Sequence, residues 1–165
     1  KQRKEKKMAT TVNNTTANSR ITIVFDAAGS LNGDGPALGT GNTESDVYLD
    51  DKIYLNIRSH TEIDANVHAL QWNATTNTGH IEYIDNRDNE SISSVPQWAT
   101  NVVIRCEAQD SWQTAYNANL QSQFSSWQTA NPEANVETFV ANTTQATTVA
   151  DTERSNYLSA HSITY

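Results

Sequence analysis

The sequence predicts an α+β protein, a small and mostly antiparallel β-sheet followed by helices, and three observations carry that expectation. Up to Ile84, short runs of β-branched and aromatic residues alternate at period two between turn signals. After Pro96 the apolar spacing changes to three and four residues, the period of a helix. Asn, Thr, Ser and Gln supply 62 of 165 residues, whereas Leu, Ile, Val and Phe supply 30, so the core must be thin. Four Trp and six Tyr argue against disorder, because disordered chains are poor in aromatics. An ordered, thin-cored chain of this kind is expected to gain stability from partners.

Residues 1–19 read as a flexible N-terminal arm, polar and without period after the basic start. Residues 21–25 (ITIVF) form the first expected strand. Residues 27–46 hold five of the six glycines, and their Asn-Gly, Asp-Gly and Gly-Pro steps mark a long loop. Residues 47–58 give the next strand region, which Asp50-Asp51 can divide in two. Within it Ile53, Leu55 and Ile57 alternate with Tyr54, Asn56 and Arg58, which predicts an apolar face made by the first three. Residues 66–72 and 80–84 flank a polar turn as a hairpin. Helical spacing then runs over residues 97–129, as one long helix or two consecutive ones, launched after Pro96 and stopped by Asn131-Pro132. The run 101–105 (NVVIR) also fits a strand. Beyond Pro132 come a short helical stretch, a Thr-rich loop (NTTQATT) and a weakly helical 151–160. These elements predict one α+β domain over 20–130 and a C-terminal extension over 131–165.

Charge is distributed unevenly. Residues 1–7 (KQRKEKK) carry +4, so the -8 of the whole chain leaves -12 from Met8 onward. A basic arm on nucleic acid is one explanation. Codon usage suggests another: AGA-AAG-GAG-AAA-AAA-ATG would encode Arg3 to Met8 and would place a ribosome-binding sequence just before a start. Residues 1–7 are then an upstream-translated leader, from a bacterial or bacteriophage gene. The acidic body is not expected to contact nucleic acid directly. No run approaches the ~18 apolar residues of a membrane span, so no membrane partner is expected. A single cysteine, Cys106, excludes an intrachain disulfide.

Candidate chemistry is sparse. His60, His68, His80 and His161 show no metal-ligand spacing; only His68 and His80, with Glu82 and Asp85, occupy neighbouring strands where zinc is conceivable. Asp26, Asn32, Asp34, Glu44 and Asp46 crowd the glycine-rich loop but do not follow the EF-hand pattern, and turns use Asp and Asn anyway. Neither a nucleophile elbow nor a P-loop nor a dinucleotide fingerprint occurs. Cys106 lies on an apolar stripe without a base to activate it. Trp72, Tyr83, Trp98, Trp112 and Trp127 suit a carbohydrate platform, though core and interface packing is the commoner use of such residues. The expectation is therefore no catalytic, cofactor-binding or metal-ligating residue, no cofactor, and no enzymatic activity.

One segment resembles a known pattern. Gln71-Trp72, Gly79-x-Ile81-Glu82-Tyr83, Asp85-x-Arg87-x-Asn89, Ile92 and Pro96-x-Trp98 resemble a motif of small tailed-bacteriophage proteins that look virion- or tail-associated. The match spans about 30 of the 165 residues. It implies a phage setting and a structural module, and it transfers no catalytic residue. Physically, two strands carry Trp72 and Tyr83, and Pro96 launches a helix whose Trp98 can pack back on the hairpin.

The segment from Ser111 to Asn131 has no charge of either sign, yet carries Trp112, Tyr116, Leu120, Phe124 and Trp127 at helical spacing. Free helices normally keep charge on their wet face, whereas interface cores are depleted of charge and rich in aromatics. These five residues are the expected interface with other virion subunits, in a homo-oligomer. The expected role is a virion structural protein of the tail, neck or capsid surface. An assembly chaperone absent from the finished particle is the second possibility, and a small carbohydrate-binding or hydrolytic protein the third.

Overall fold

The computed structural model describes residues 18–25, 44–58, 63–64 and 66–163. Residues 1–17 of the expected arm, with the leader, and most of the glycine-rich loop with Asp26, Asn32 and Asp34, lie outside these residues, as does His60. Among the described residues six strands form one sheet: β1 (Arg20–Phe25), β2 (Glu44–Leu49), β3 (Lys52–Arg58), β4 (Val67–Asn73), β5 (Thr78–Tyr83) and β6 (Glu90–Ile92). Their spatial order is β3-β2-β1-β4-β5-β6, and every pairing is antiparallel. Two helices follow, α1 (Gln97–Ala130) and α2 (Thr143–Ala160), separated by a single 3-10 turn at Val136–Thr138. The fold is α+β, as the change of period predicts. No helix among the described residues is long and apolar enough to cross a membrane.

One face of the sheet is the core. Strand alternation turns Ile21, Ile23 and Phe25 inward, and each is fully buried. Cross-strand partners continue the face: Val47 and Leu70 flank Ile23, while Leu49 and Trp72 flank Ile21. Against it lies the first third of α1, whose Ala99, Val102, Val103 and Cys106 recur at three- and four-residue spacing. Trp98 joins the same cluster as Trp72 and Tyr83, and its ring meets Phe25 at 5.8 Å between centroids. Burying a Val, Leu, Ile or Phe side chain is worth about 1.5–3 kcal/mol, so this single layer supplies most of the hydrophobic stabilisation.

Asp50 and Asp51 divide the second strand region as the sequence predicts, forming the tight β2–β3 turn with Asp50 at φ 51°. The Asp50 carboxylate accepts the backbone N–H groups of Ser19 and Arg20 at 3.0 and 2.8 Å, tying the turn to the start of β1. In β3 the expected face is redistributed. Tyr54 and Ile57 are buried, whereas Ile53 and Leu55 are 58% and 62% exposed. A bulge causes this: the pairing with β2 slips between Val47 and Ser45, and Asn56 takes φ 55°, a conformation Asn tolerates. The Asp46 carboxylate accepts the Asn56 N–H at 3.1 Å and holds the bulge. Residues 44–46, expected to be loop, are the start of β2.

Toward the C-terminus the helical reading of residues 101–105 holds, and the expected Thr-rich loop gives way to helix. Residues 101–105 are helical, so α1 is one continuous helix of 34 residues, about 51 Å long at 1.5 Å per residue. The Thr-rich 142–148 stretch is the start of α2, not a loop. The Asn142 side chain caps it by accepting the Gln145 N–H, and Thr148 and Thr152 hydroxyls donate back to the carbonyls of Thr144 and Thr148. Strand β6 has no sequence signal of its own.

Gly79 stands opposite Trp72 in the β4–β5 hairpin. A Cβ there would lie 2.3 Å from the Gln71 carbonyl oxygen and 2.9 Å from Trp72 Cε3, so only glycine lets the indole lie across the strand. Gly79→Ala is expected to destabilise the chain by about 1–3 kcal/mol, the cost typical of overpacking. Urea denaturation monitored by tryptophan emission measures it. An unchanged midpoint would mean that Trp72 does not pack over residue 79.

Candidate functional site

Two regions concentrate the side chains singled out by the sequence: the hairpin motif and the helical arm. In the motif Trp72, Gly79 and Ile81 build the core-facing side, and Pro96 stands at the N-cap of α1, its carbonyl accepting the Ala99 and Thr100 N–H groups. The polar motif residues form a clamp. Arg87 donates to both carboxylate oxygens of Asp85 and, at 3.0 Å, to Asp64, and its guanidinium lies 4.4 Å from the centroid of the Tyr83 ring. The Tyr83 hydroxyl donates to Glu90 at 2.5 Å. The Asn66 backbone N–H, and then Arg87, hold the Asp64 carboxyl below its ordinary value, while Arg87 lowers that of Asp85. The clamp thus ties the loop before β4 to the turn after β5. On the sheet's other face Glu82 Oε1 meets both Gln71 Nε2 and His80 Nε2 at 2.9 Å. Every one of these groups serves packing or pairing.

A second cluster lies where β3 meets α1. Asp110 accepts from Lys52 Nζ and from the Tyr54 hydroxyl, each at 2.6 Å, and so fastens the helix to the edge strand. The bond to Asp110 raises the Lys52 ammonium above its ordinary value, and burial, with Asp110 second, raises the Tyr54 phenol. Burial also pushes the Cys106 thiol up. Burial and then the hydrogen bond to Glu107 push Tyr157 up to about 12. All four shifts favour the protonated form, the opposite of what a base or an activated nucleophile needs. Among the described residues no group of three or more His, Cys, Asp or Glu could hold a metal ion. The zinc candidates are separated in their bonding: Glu82 engages His80, and Asp85 engages Arg87.

The sequence-predicted interface residues share the far part of α1. Beyond Ala108 no residue of α1 is buried, although 22 residues remain (109–130). Trp112, Tyr116, Leu120, Phe124 and Trp127 are all half-buried. Their inner edges rest on the chain's own elements. Trp112 Nε1 donates to Asp151 of α2 at 2.8 Å and stacks on Tyr116. Phe124 and Trp127 enclose Phe139, with centroids 5.2 and 5.6 Å away. Gln123 exchanges two hydrogen bonds with the Asn142 backbone, fixing the turn between the helices. The result is an antiparallel helical arm whose near end shares Ala108, Leu158 and Ile163 as a small second core. Sequence reasoning missed Phe139 and Asn142, which only a firm helix assignment for 143–160 would have brought opposite Phe124 and Gln123.

No family model matches the chain, and no similar curated protein or solved structure was found.

The tyrosine shifts fix a pH dependence. A phenol held above its ordinary 10.0 contributes stability that is complete below that value and is lost as pH rises through the folded value, about 12 for Tyr157. Stability should fall from about pH 10 upward, less steeply in Tyr157→Phe. Phenolate absorbance and melting temperature across that range measure both. A Tyr157→Phe variant with the wild-type alkaline profile would contradict the assignment.

Proposed function

We propose that this chain is a bacteriophage virion structural protein, a tail, neck or capsid-surface subunit that works by assembling with other copies and other virion subunits. The observation that carries the proposal is the helical arm. From Ser111 to Asn131 it bears no charge, it buries no residue fully, and its aromatic stripe is only half covered by α2 and Phe139. A free surface of this composition is costly in solution, because charge is what keeps such surfaces apart. Half-covered aromatics surrounded by neutral polar residues match the middle of a protein–protein contact. The sheet and the first third of α1 then act as the anchoring body, and the arm as the assembly element. The resemblance of the Trp72–Trp98 segment to tailed-phage proteins supports the same setting. The chaperone alternative predicts abundance in lysates and absence from purified particles.

Exposed positions on the arm provide the test. Ala118→Glu with Ser122→Glu places charge on the neutral surface without touching a buried group, and Phe124→Asp removes the aromatic seat of Phe139 as well. Quantitative proteomics of purified particles should show at least a tenfold loss of incorporation for both variants, with the melting temperature of the Ala118/Ser122 variant unchanged. Full-copy incorporation of both variants would defeat the assembly assignment.

A further inference from the structure

The face of the sheet turned away from α1 carries a polar platform near its centre. Strand alternation directs Ile21 and Ile23 into the core, so Arg20 and Thr22 point the other way. The register sets two rows side by side across β1, β4 and β5: Arg20–Asn73–Thr78 and Thr22–Gln71–His80. These six residues border one open cavity of about 360 Å³, within the ~300–1,000 Å³ of small-ligand sites. Among the described residues no acid lines it, although the chain from Met8 onward carries -12.

Arg20 gives this cavity its charge. Lys52, Arg87 and Arg154 are each bonded to a carboxylate, and Arg105 is buried and partnered. Among the described side chains the exposed Arg20 guanidinium has neither a hydrogen bond nor an ion pair, and the Thr22 hydroxyl beside it has no hydrogen bond either. Their neighbours are already oriented. Asn73 Oδ1 accepts the Thr75 N–H at 2.9 Å, which fixes the amide and leaves Nδ2 to donate. Glu82, one row farther on, meets Gln71 Nε2 and His80 Nε2 through Oε1 at 2.9 Å, which leaves Gln71 Oε1 to accept. The Thr78 hydroxyl shares one hydrogen bond with that of Thr76 at 2.7 Å and keeps capacity for another. Groups held in place before a ligand arrives lower the cost of binding it.

We propose that this platform binds an acidic saccharide, a uronic-acid unit whose carboxylate pairs with Arg20 and whose hydroxyls meet Thr22, Gln71, Asn73 and Thr78. A guanidinium takes a carboxylate through two parallel bonds. Sugar hydroxyls both donate and accept, which is what the mixed amides and hydroxyls around Arg20 offer. Two strand spacings and one two-residue repeat make the platform about 10 Å by 7 Å, the span of one sugar ring with its substituents. Other ligand classes fit less well. A polyanion such as nucleic acid meets the -12 body and finds no open ring to stack on, since Trp72 in the lining is only 8% exposed. An apolar segment finds no apolar floor. Glycoside cleavage takes a pair of carboxyl groups flanking the bond, and this lining has none, so the site binds without cutting. The platform lies on the sheet, away from the neutral part of α1, and stands whether or not that part is an assembly surface.

Titrating the full-length chain with methyl glucuronide, followed by amide chemical shifts, tests the site. Neutral methyl glucoside and sodium sulfate serve as the two controls. The glucuronide should give saturable shifts centred on residues 20–22, 71–73 and 78–80. The glucoside, which lacks the carboxylate, and sulfate, which lacks the hydroxyls, should each bind at least tenfold more weakly. Arg20→Gln should weaken glucuronide binding at least tenfold at an unchanged melting temperature, and Arg20→Lys, which keeps the charge but not the paired bonds, should fall between. Thr22→Val should weaken the glucuronide several-fold and leave sulfate binding as it is. If Arg20→Gln lowers the melting temperature, the Arg20→Lys and Thr22→Val titrations decide. Absence of saturable shifts, shifts centred elsewhere, or glucoside binding as tight as glucuronide would overturn the proposal. Sulfate binding as tightly as the glucuronide at the same amides would overturn it too, leaving a site for a bare anion only.

Discussion

The structure depends on one helix that serves two different surfaces. Over its first third α1 covers the sheet, and Ala99, Val102, Val103 and Cys106 complete the hydrophobic cluster of Ile21, Ile23, Phe25 and Leu70. Farther along, past Asp110, the same helix runs beside α2 and the turn before it. A helix interior has no joint at which these parts can separate, so the rigidity gained from the core is carried along the arm. Asp110 marks the transition: its bonds to Lys52 and Tyr54 tie α1 to the edge strand of the sheet.

That arrangement gives the unusual composition a physical account. A chain with so few large aliphatics cannot build a deep two-sided core, and this one gathers most of its buried ones on one face of the sheet and the helix above it. The Thr, Ser, Asn and Gln residues are spent elsewhere. They cap α2 through Asn142, return hydroxyls to helical carbonyls, and bridge the arm through Gln123. Hydrogen bonds of this kind contribute little net stability each, about 0.5–1.5 kcal/mol, but they fix geometry. A subunit that must present a defined surface to neighbours gains more from fixed geometry than from surplus stability.

How much of this was legible follows from range. Helix α1 was bounded correctly by Pro96 and by Asn131-Pro132, because its signals are local. The strands near 21–25, 66–72 and 80–84 were legible for the same reason. The inward face of β3 was not, because the bulge at Asn56 depends on Asp46 ten residues earlier and reverses Ile53 and Leu55. The start of α2 was hidden by its threonines, which lower intrinsic helix preference until a cap and back-donated hydroxyls offset that cost. Strand β6 forms because Tyr83 and Glu90 close the turn after β5, a contact that no period reveals. The candidate site divides likewise. The neutral aromatic stripe is visible as composition, whereas the Lys52–Tyr54–Asp110 junction joins residues more than fifty positions apart.

The central claim is that α1 belongs to the subunit's core over its first third and to an assembly surface over the rest. Hydrogen exchange resolved along α1, in the isolated chain and in the assembled particle, tests it most directly. In the isolated chain the amides of residues 102–108 should exchange only through global unfolding, and those of 112–130 faster, through local opening of the arm. On assembly the second set should become protected while the first does not change. Equal protection along the whole helix in the isolated chain, with no gain in the particle, would contradict the account.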